Sequence, residues 1–315
     1  LMAEGVRMVQ VDEGGDGQRI DNFLLKVLKG VPRTRIYRLL RTGEVRVNKG
    51  RAKPSQRLNI GDQVRIPPIR TASTDAQVPA APRQVTERLA EQVIYEDSGL
   101  LVLNKPSGMA VHGGSGLAFG VIEALRAARP TERQLELAHR LDRDTSGCLM
   151  IAKRRSALRR LQELQRAQGI EKRYLALVGH AGSQRRYRVD LPLRKNVLRS
   201  GEREVRVAED GKPSSTLFEV QRRAPWCQLV EARLQTGRTH QIRVHSLAAG
   251  HPLLGDPKYG DPALNRAAED CGLHRLFLHA AVLRLPWPEA GERLEIRAPL
   301  PAELDAVLKR IPWNQ

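Results

Sequence analysis

The sequence predicts an α+β protein: a mixed, mainly antiparallel β-sheet domain with helices packed on it, preceded by a small α/β unit. Three observations carry this. From about residue 93 onward, short apolar runs (VIYED, LLVLNK, CLMIAK, YLALVG, WCQLVEARL) recur with few helices between them. The regular helical crossovers of a doubly wound parallel sheet are therefore missing. Before about residue 70, two helical patterns precede short alternating ones, and residues 69–92, rich in Pro, Ala, Thr and Gln, read as a linker. The expected organisation is an extension over 1–16, a basic unit over 17–68, the linker, and a main domain over 93–315.

Taken in order, Ile20, Phe23, Leu24, Val27 and Leu28 share one helical face, and Gly30 ends that helix. A second helix follows Pro32: Ile36, Leu39 and Leu40 form its apolar face, Arg35, Arg38 and Arg41 a basic ridge beside it, and Gly43 its stop. In EVRVNKGRAK, Val45 and Val47 alternate with Arg46 and Asn48, and Lys49-Gly50 can turn the chain ahead of Arg51. In the main domain, helices are expected over 120–128, over 156–168 with Ser156 as N-cap, from Thr239 as N-cap to Gly250, and over 303–310.

At 41% apolar the 315-residue chain can bury a sizeable core, while 4% aromatic content excludes a wide field of stacking platforms. The net charge of +18 is uneven: residues 153–206 hold 16 basic against 5 acidic side chains, and residues 1–70 hold 15 against 7. That bias favours a polyanionic partner, nucleic acid foremost, over a merely solubilising surface. A polybasic membrane patch lacks a second anchoring signal. Cys148, Cys227 and Cys271 give an odd, scattered count that argues against a disulfide framework. Neither a signal core nor an uninterrupted apolar span is visible, so a cytoplasmic protein is expected.

The densest polar stretch is AHRLDRDTSGCLMIAK (138–153), where a loop of charged residues feeds a buried-strand pattern. Asp142 and Asp144 could form a glycosidase-like pair, an odd match for so basic a chain. A zinc site is disfavoured: His240 and His245 are split around a helix, and Cys271, His274 and His279 lack a matching second pair. HGGSG (112–116) lacks the Lys-Ser or Lys-Thr of a phosphate loop, and Ser115 lacks nucleophile-elbow spacing. Cys148 reads as a quiet buried thiol. In QTGRTHQIRVHSLAAGHPLLGDPKYG (235–260), Arg243 near a helix start is poorly placed for the helix dipole, so a carboxylate or phosphate partner explains it better.

HRLDRDTSG (139–147), NKPSGMAVHGG (104–114), KRYLALV (172–178), GRTHQIRVH (237–245) and RLFLHA (275–280) together resemble the RluA family of pseudouridine synthases, and residues 17–68 resemble an S4 RNA-binding domain. The resemblance implies isomerisation of uridine to pseudouridine in large-subunit ribosomal RNA, at three separate sites, by an aspartate-dependent reaction on a flipped-out base, with no cofactor and no metal, by a monomer. It implies that Asp142 is the catalytic aspartate, Tyr174 the active-site tyrosine and Arg243 the arginine paired with Asp142. Arg140 would fill the space that the flipped nucleotide leaves, Ile242 and Leu278 would close on the base, and His139 would line the substrate site, chiefly ordering the loop. Arg35, Arg38, Arg41, Arg46, Lys49 and Arg51 would contact RNA. These roles suit the side chains: a carboxylate in a closed site needs a cation within reach, a planar guanidinium can stack, and a tyrosine offers a flat face and a phenol. By pattern alone Tyr174 would be a strand core residue. A non-catalytic RNA-binding or ribosome-assembly protein is the competing reading, but binding alone gives no reason to place Asp142 among phosphate-attracting residues.

Overall fold

A computed structural model of the chain describes residues 5–12, 14–28, 31–69, 81–113, 119–132, 134–180, 182–197, 203–288, 291 and 293–314. Two compact units emerge, Leu1–Ala80 and Ala81–Gln315.

The first unit contains β1 (Arg7–Gln10), α1 (Ile20–Val27), α2 (Arg33–Thr42), β2 (Arg46–Val47), β3 (Gly50–Arg51) and β4 (Gln63–Ile66), its strands ordered β1-β4-β2-β3 and all antiparallel. Ile20, Leu24, Ile36, Leu39 and Leu58 are almost wholly buried with Val64 and Ile66, so the two helical faces close on one side of the sheet. Gly43 ends α2 at φ 74°, a left-handed cap that suits glycine. Gly30 lies outside the described residues. The β2–β3 turn is made by Asn48 and Lys49, both at positive φ (50° and 69°), and not by Lys49-Gly50. Two left-handed residues match the strand twist of a two-residue hairpin, and Asn48 also secures the turn by donating from Nδ2 to Asp62.

The second unit runs α3 (Arg83–Ala90), β5 (Val93–Glu96), β6 (Leu100–Lys105), α4 (Val121–Ala128), β7 (Glu136–Leu137), β8 (Ser146–Ala152), α5 (Arg155–Arg166), β9 (Glu171–Gly179), β10 (Arg186–Asp190), β11 (Leu193–Val197), β12 (Arg203–Val207), β13 (Ser215–Arg223), β14 (Cys227–Leu234), α6 (Gln241–Ala248), α7 (Pro262–Asp270), β15 (Leu278–Leu285), β16 (Leu294–Arg297) and α8 (Ala302–Arg310). Ten strands form one sheet in the order β10-β13-β14-β9-β15-β8-β6-β5, with β16 on β15 and β7 on β8; β11 and β12 make a separate hairpin. Every pairing is antiparallel except β8 with β15, so the sheet is mixed and mainly antiparallel.

Burial explains the order. All seven residues of β8 are buried, as expected for a central strand of continuous apolar character. Where β8 meets β15, Gly147 has φ 109° and a Cβ there would strike the Ala280 carbonyl, so the parallel contact needs a glycine.

Three local expectations differ from the structure. Helix α3 occupies part of the stretch read as linker, held by Leu89, which is 2% exposed. Ser156 is not the N-cap of α5; Arg154 precedes the helix, without a capping side chain. Nor does Thr239 cap α6, because His240 takes that position in a left-handed conformation. The Gln241 side chain folds back instead, accepting from Arg238 N–H at 3.0 Å and from the Thr236 hydroxyl at 2.7 Å.

Candidate active site

The polar loop 138–145, between β7 and β8, is fixed from beneath. Lys105, fully buried, donates from Nζ to the carbonyls of Pro106, Met109 and Arg143 at 2.8, 2.8 and 2.9 Å. Ser107 Oγ donates to the Asp144 carbonyl at 2.8 Å, and Arg275 Nη2 to Ser146 Oγ at 2.9 Å. Burial brings the Lys105 ammonium down to about 7. With its backbone tied at Arg143 and Asp144, the loop presents Asp142 in a fixed place.

Opposite stands α6, whose residues Gln241 to Ser246 are all buried. A helix buried on every side must satisfy each polar group internally. His245 does so with the hydroxyls of Ser214 and Thr216 and the Leu191 carbonyl, at 2.9–3.0 Å. Arg243 forms a bidentate pair with Asp256, Nε and Nη2 each 2.7 Å from a carboxylate oxygen, and turns Nη1 toward Asp142 Oδ2 at 3.4 Å. Arg243 thus bridges two carboxylates, and the closer one is Asp256, which the sequence reading missed. Its signal was GDPKYG, an Asp at a Gly-Pro turn. Burial alone would raise the Asp256 carboxyl, but the Arg243 guanidinium and the N–H groups of Tyr259 and Lys258 hold it below the usual range.

Asp142, Tyr174, Arg243, Ile242, Leu278, His139 and Arg140 line one cavity of about 200 Å³, together with Lys172, His240 and Gln241. The structure therefore gathers all seven residues expected around a substrate in the main domain. Tyr174, on β9, is 6% exposed, and burial followed by the Asp142 charge pushes its phenol upward, so it stays protonated at neutral pH. Ile242 and Leu278 supply apolar wall. Arg140 is exposed at the mouth. His139 accepts the Met150 N–H on Nε2 at 3.0 Å, and burial, with Lys172 nearby, lowers its pKa well below the ordinary value. A neutral ring tied to β8 suits ordering the loop. Lys172, which opens the KRYLALV stretch but has no role assigned there, is brought to about 8 by burial.

The alternatives weaken on geometry. Asp144 pairs with Arg143 at 3.2 Å and borders a different cavity, beside Ser107, His274 and Arg275. Among the described residues no cluster of His, Cys, Asp and Glu could hold a metal ion, and no helix is long and apolar enough to cross a membrane. His279 is committed to Ser146 Oγ and the Ala298 carbonyl. Ser115 lies outside the described residues. Cys148 is 3% exposed, and burial raises its thiol to about 12. In the first unit, Arg35, Arg38, Arg41, Arg46, Lys49 and Arg51 are all exposed.

The chain matches two family models: RNA pseudouridylate synthase over residues 99–248 and the S4 domain over 18–64. Asp256, Tyr259 and Leu278 lie beyond the first match. Among solved structures, human RNA pseudouridylate synthase domain containing 4 is similar with a TM-score of 0.61 at 27% identity, over 74% of this chain and 97% of that one. Human RNA pseudouridylate synthase domain containing 1 gives 0.56, also at 27% identity, over 67% and 83%. The ribosomal large subunit pseudouridine synthase C of Yersinia pestis is 53% identical over 98% of this chain and 97% of its own length, and that of Escherichia coli K12 is 53% identical over 97% of each. The chain belongs to the pseudouridine synthase family, in the C type that these relatives represent.

Proposed function

We propose that this chain converts uridines of large-subunit ribosomal RNA to pseudouridine, at three separate positions, with Asp142 as the reacting carboxylate. The observation that carries this reading is the cavity in which Asp142 faces Tyr174, Arg243, Ile242 and Leu278. The names of its relatives support the RNA class. In the reaction the N1–C1′ bond breaks, the uracil turns while held, and C5 joins C1′; N1 ends with the hydrogen and C5 without one, so no group is lost. Ile242, Leu278 and the Tyr174 ring grip the flat base, and the Tyr174 phenol, being protonated, can hydrogen-bond to it. Arg243, itself fixed by Asp256, holds the carboxylate in place. Arg140, exposed at the mouth, is suited to fill the gap left in the RNA stack.

The exposed arginines of α2 with Arg46, Lys49 and Arg51 form the face proposed to track RNA phosphates. A ribosomal substrate and three unpaired cysteines together support a cytoplasmic location. Asp142→Asn keeps size and removes charge; it is expected to abolish pseudouridine formation while RNA affinity stays within about twofold. Chemical labelling and primer extension on RNA from cells with and without the gene identify the target. An active Asp142→Asn enzyme would overturn the assignment of the carboxylate, and loss of a modification from transfer RNA alone would overturn the substrate.

A further inference from the structure

Tyr259, from the GDPKYG turn, takes part in no step above, yet it sits at the junction of three elements. Its ring lies under the Arg243 guanidinium, 4.9 Å from its centroid. Its oxygen accepts the Val205 N–H from β12 at 3.0 Å and lies 2.9 Å from His240 Nδ1. On the far side of that imidazole, Nε2 stands 3.8 Å from Asp142 Oδ1. With Leu193, Val205 and Val244, Tyr259 forms a small buried cluster that joins the β11–β12 hairpin to α6.

The hydrogen positions follow from this arrangement. Burial, reinforced by Arg243 and Lys258 against the pull of Asp142 and Asp256, depresses the His240 pKa, so the ring is neutral near pH 7. A neutral ring has one bare nitrogen. The phenol already accepts from Val205, and among the described residues its acceptor is His240 Nδ1. Assigning the phenol hydrogen to Nδ1 makes that nitrogen the acceptor and puts the ring hydrogen on Nε2, on the side of Asp142. His240 holds this pose although its backbone is left-handed, φ 52°, which is uncommon for a residue with a side chain. Local strain of this kind persists where surrounding contacts enforce it.

We propose that His240 and Tyr259 are positioning residues for Asp142: the phenol fixes the imidazole so that its Nε2 hydrogen faces Oδ1 while Arg243 faces Oδ2. Each carboxylate oxygen then has a donor facing it, one neutral at 3.8 Å and one charged at 3.4 Å, so the range of carboxylate planes is narrowed before RNA arrives. The 3.8 Å gap is longer than a hydrogen bond, so Asp142 keeps a free edge toward the cavity and meets His240 after a small rotation.

This inference rests on the assignment of Asp142 as the reacting group, and a mutant cycle separates the two. Single-turnover rates and dissociation constants are measured with a transcript of large-subunit ribosomal RNA, alongside thermal melts. Tyr259→Phe keeps the ring under Arg243 and removes only the hydroxyl. It and His240→Ala are each expected to slow the reaction about tenfold with RNA affinity unchanged, as for loss of one positioning hydrogen bond. The double variant is expected to be no slower than His240→Ala, because the phenol acts through the imidazole. His240→Gln, which keeps an N–H near Nε2, is expected to recover part of the rate. A wild-type rate for Tyr259→Phe, multiplied losses in the double variant, or a defect confined to RNA affinity would overturn the proposal. If Asp142→Asn is inactive while His240→Ala is fully active, this inference alone fails; if Asp142→Asn is active, both fail.

Discussion

Arginine is used in opposite ways by the two units of this chain. On α2, Arg35, Arg38 and Arg41 stand exposed along one ridge. On α6, Arg243 is 6% exposed, clasped by Asp256, aimed at Asp142 and stacked on Tyr259. The first set is available to a phosphate partner, whereas the second has spent its donors inside the protein and acts by fixing others. Exposure and partner, not residue type, decide between binding and architecture. A third set marks the middle ground: on one face of the large sheet, Arg233 reaches Glu231 at 2.7 Å and Glu219 at 3.3 Å, and Arg173 reaches Glu231 at 3.6 Å.

Breaking the buried arrangement has the largest expected effect. Asp256→Ala strands the guanidinium among buried groups and should lower stability by about 3–5 kcal/mol, read by denaturant unfolding, with pseudouridine formation lost alongside. The pH dependence sharpens the same point. Because the folded Asp256 carboxyl is held below its ordinary 3.8, its stabilisation is complete above that value and lost as pH falls through the lowered one. The deficit of the variant should therefore shrink in acid, and a constant deficit would mean that Asp256 acts through packing alone.

An intermediate effect is expected at the ridge. Replacing Arg35, Arg38 and Arg41 together with Ala should leave unfolding almost unchanged but weaken RNA binding and lower the slope of log affinity against log salt by about 2. An unchanged slope in a salt titration would show that the ridge faces away from RNA. The smallest change is expected on the sheet face, where Arg233→Ala should cost less than about 1 kcal/mol and leave the reaction rate alone, since half-exposed ion pairs contribute little. A larger loss in the melting temperature would mean that the ladder acts cooperatively.

Much of this was legible in the sequence for a physical reason. Helical period exposed α1 and α2, and continuous apolar runs exposed β6 and β8, because burial writes itself into local pattern. Tyr174, Ile242 and Leu278 were legible only through the resemblance, whereas Asp142 and Arg243 also stood out locally, one in a dense polar loop and the other as an arginine near a helix start that needs an anionic partner; 136 positions separate Asp142 from Leu278, and no local rule joins them. Asp256 stayed hidden because an Asp between Gly and Pro looks like a turn residue, which it also is, accepting from the N–H groups of Lys258 and Tyr259. Thr239 is a cap candidate by residue type, but the left-handed His240 moves the helix start one residue on. Helix α3 was obscured by Pro and Ala around a single well-buried leucine.

The lone parallel pairing carries a consequence for the order in which the molecule is assembled. Strand β15 lies between β8 and β9, although the chain makes those two in succession and reaches β15 only after about a hundred further residues. Until then β8 and β9 each lack a neighbour, and unpaired strand edges are where chains associate wrongly. The last strand of the first unit ends at Ile66 and its core at Ile69, so that unit can close while synthesis continues. The large sheet must wait, and with it the cavity lined by Asp142, because Leu278 arrives on that same late strand. A nascent chain stopped before residue 278 should thus be able to fold its RNA-binding unit without yet possessing an enzyme.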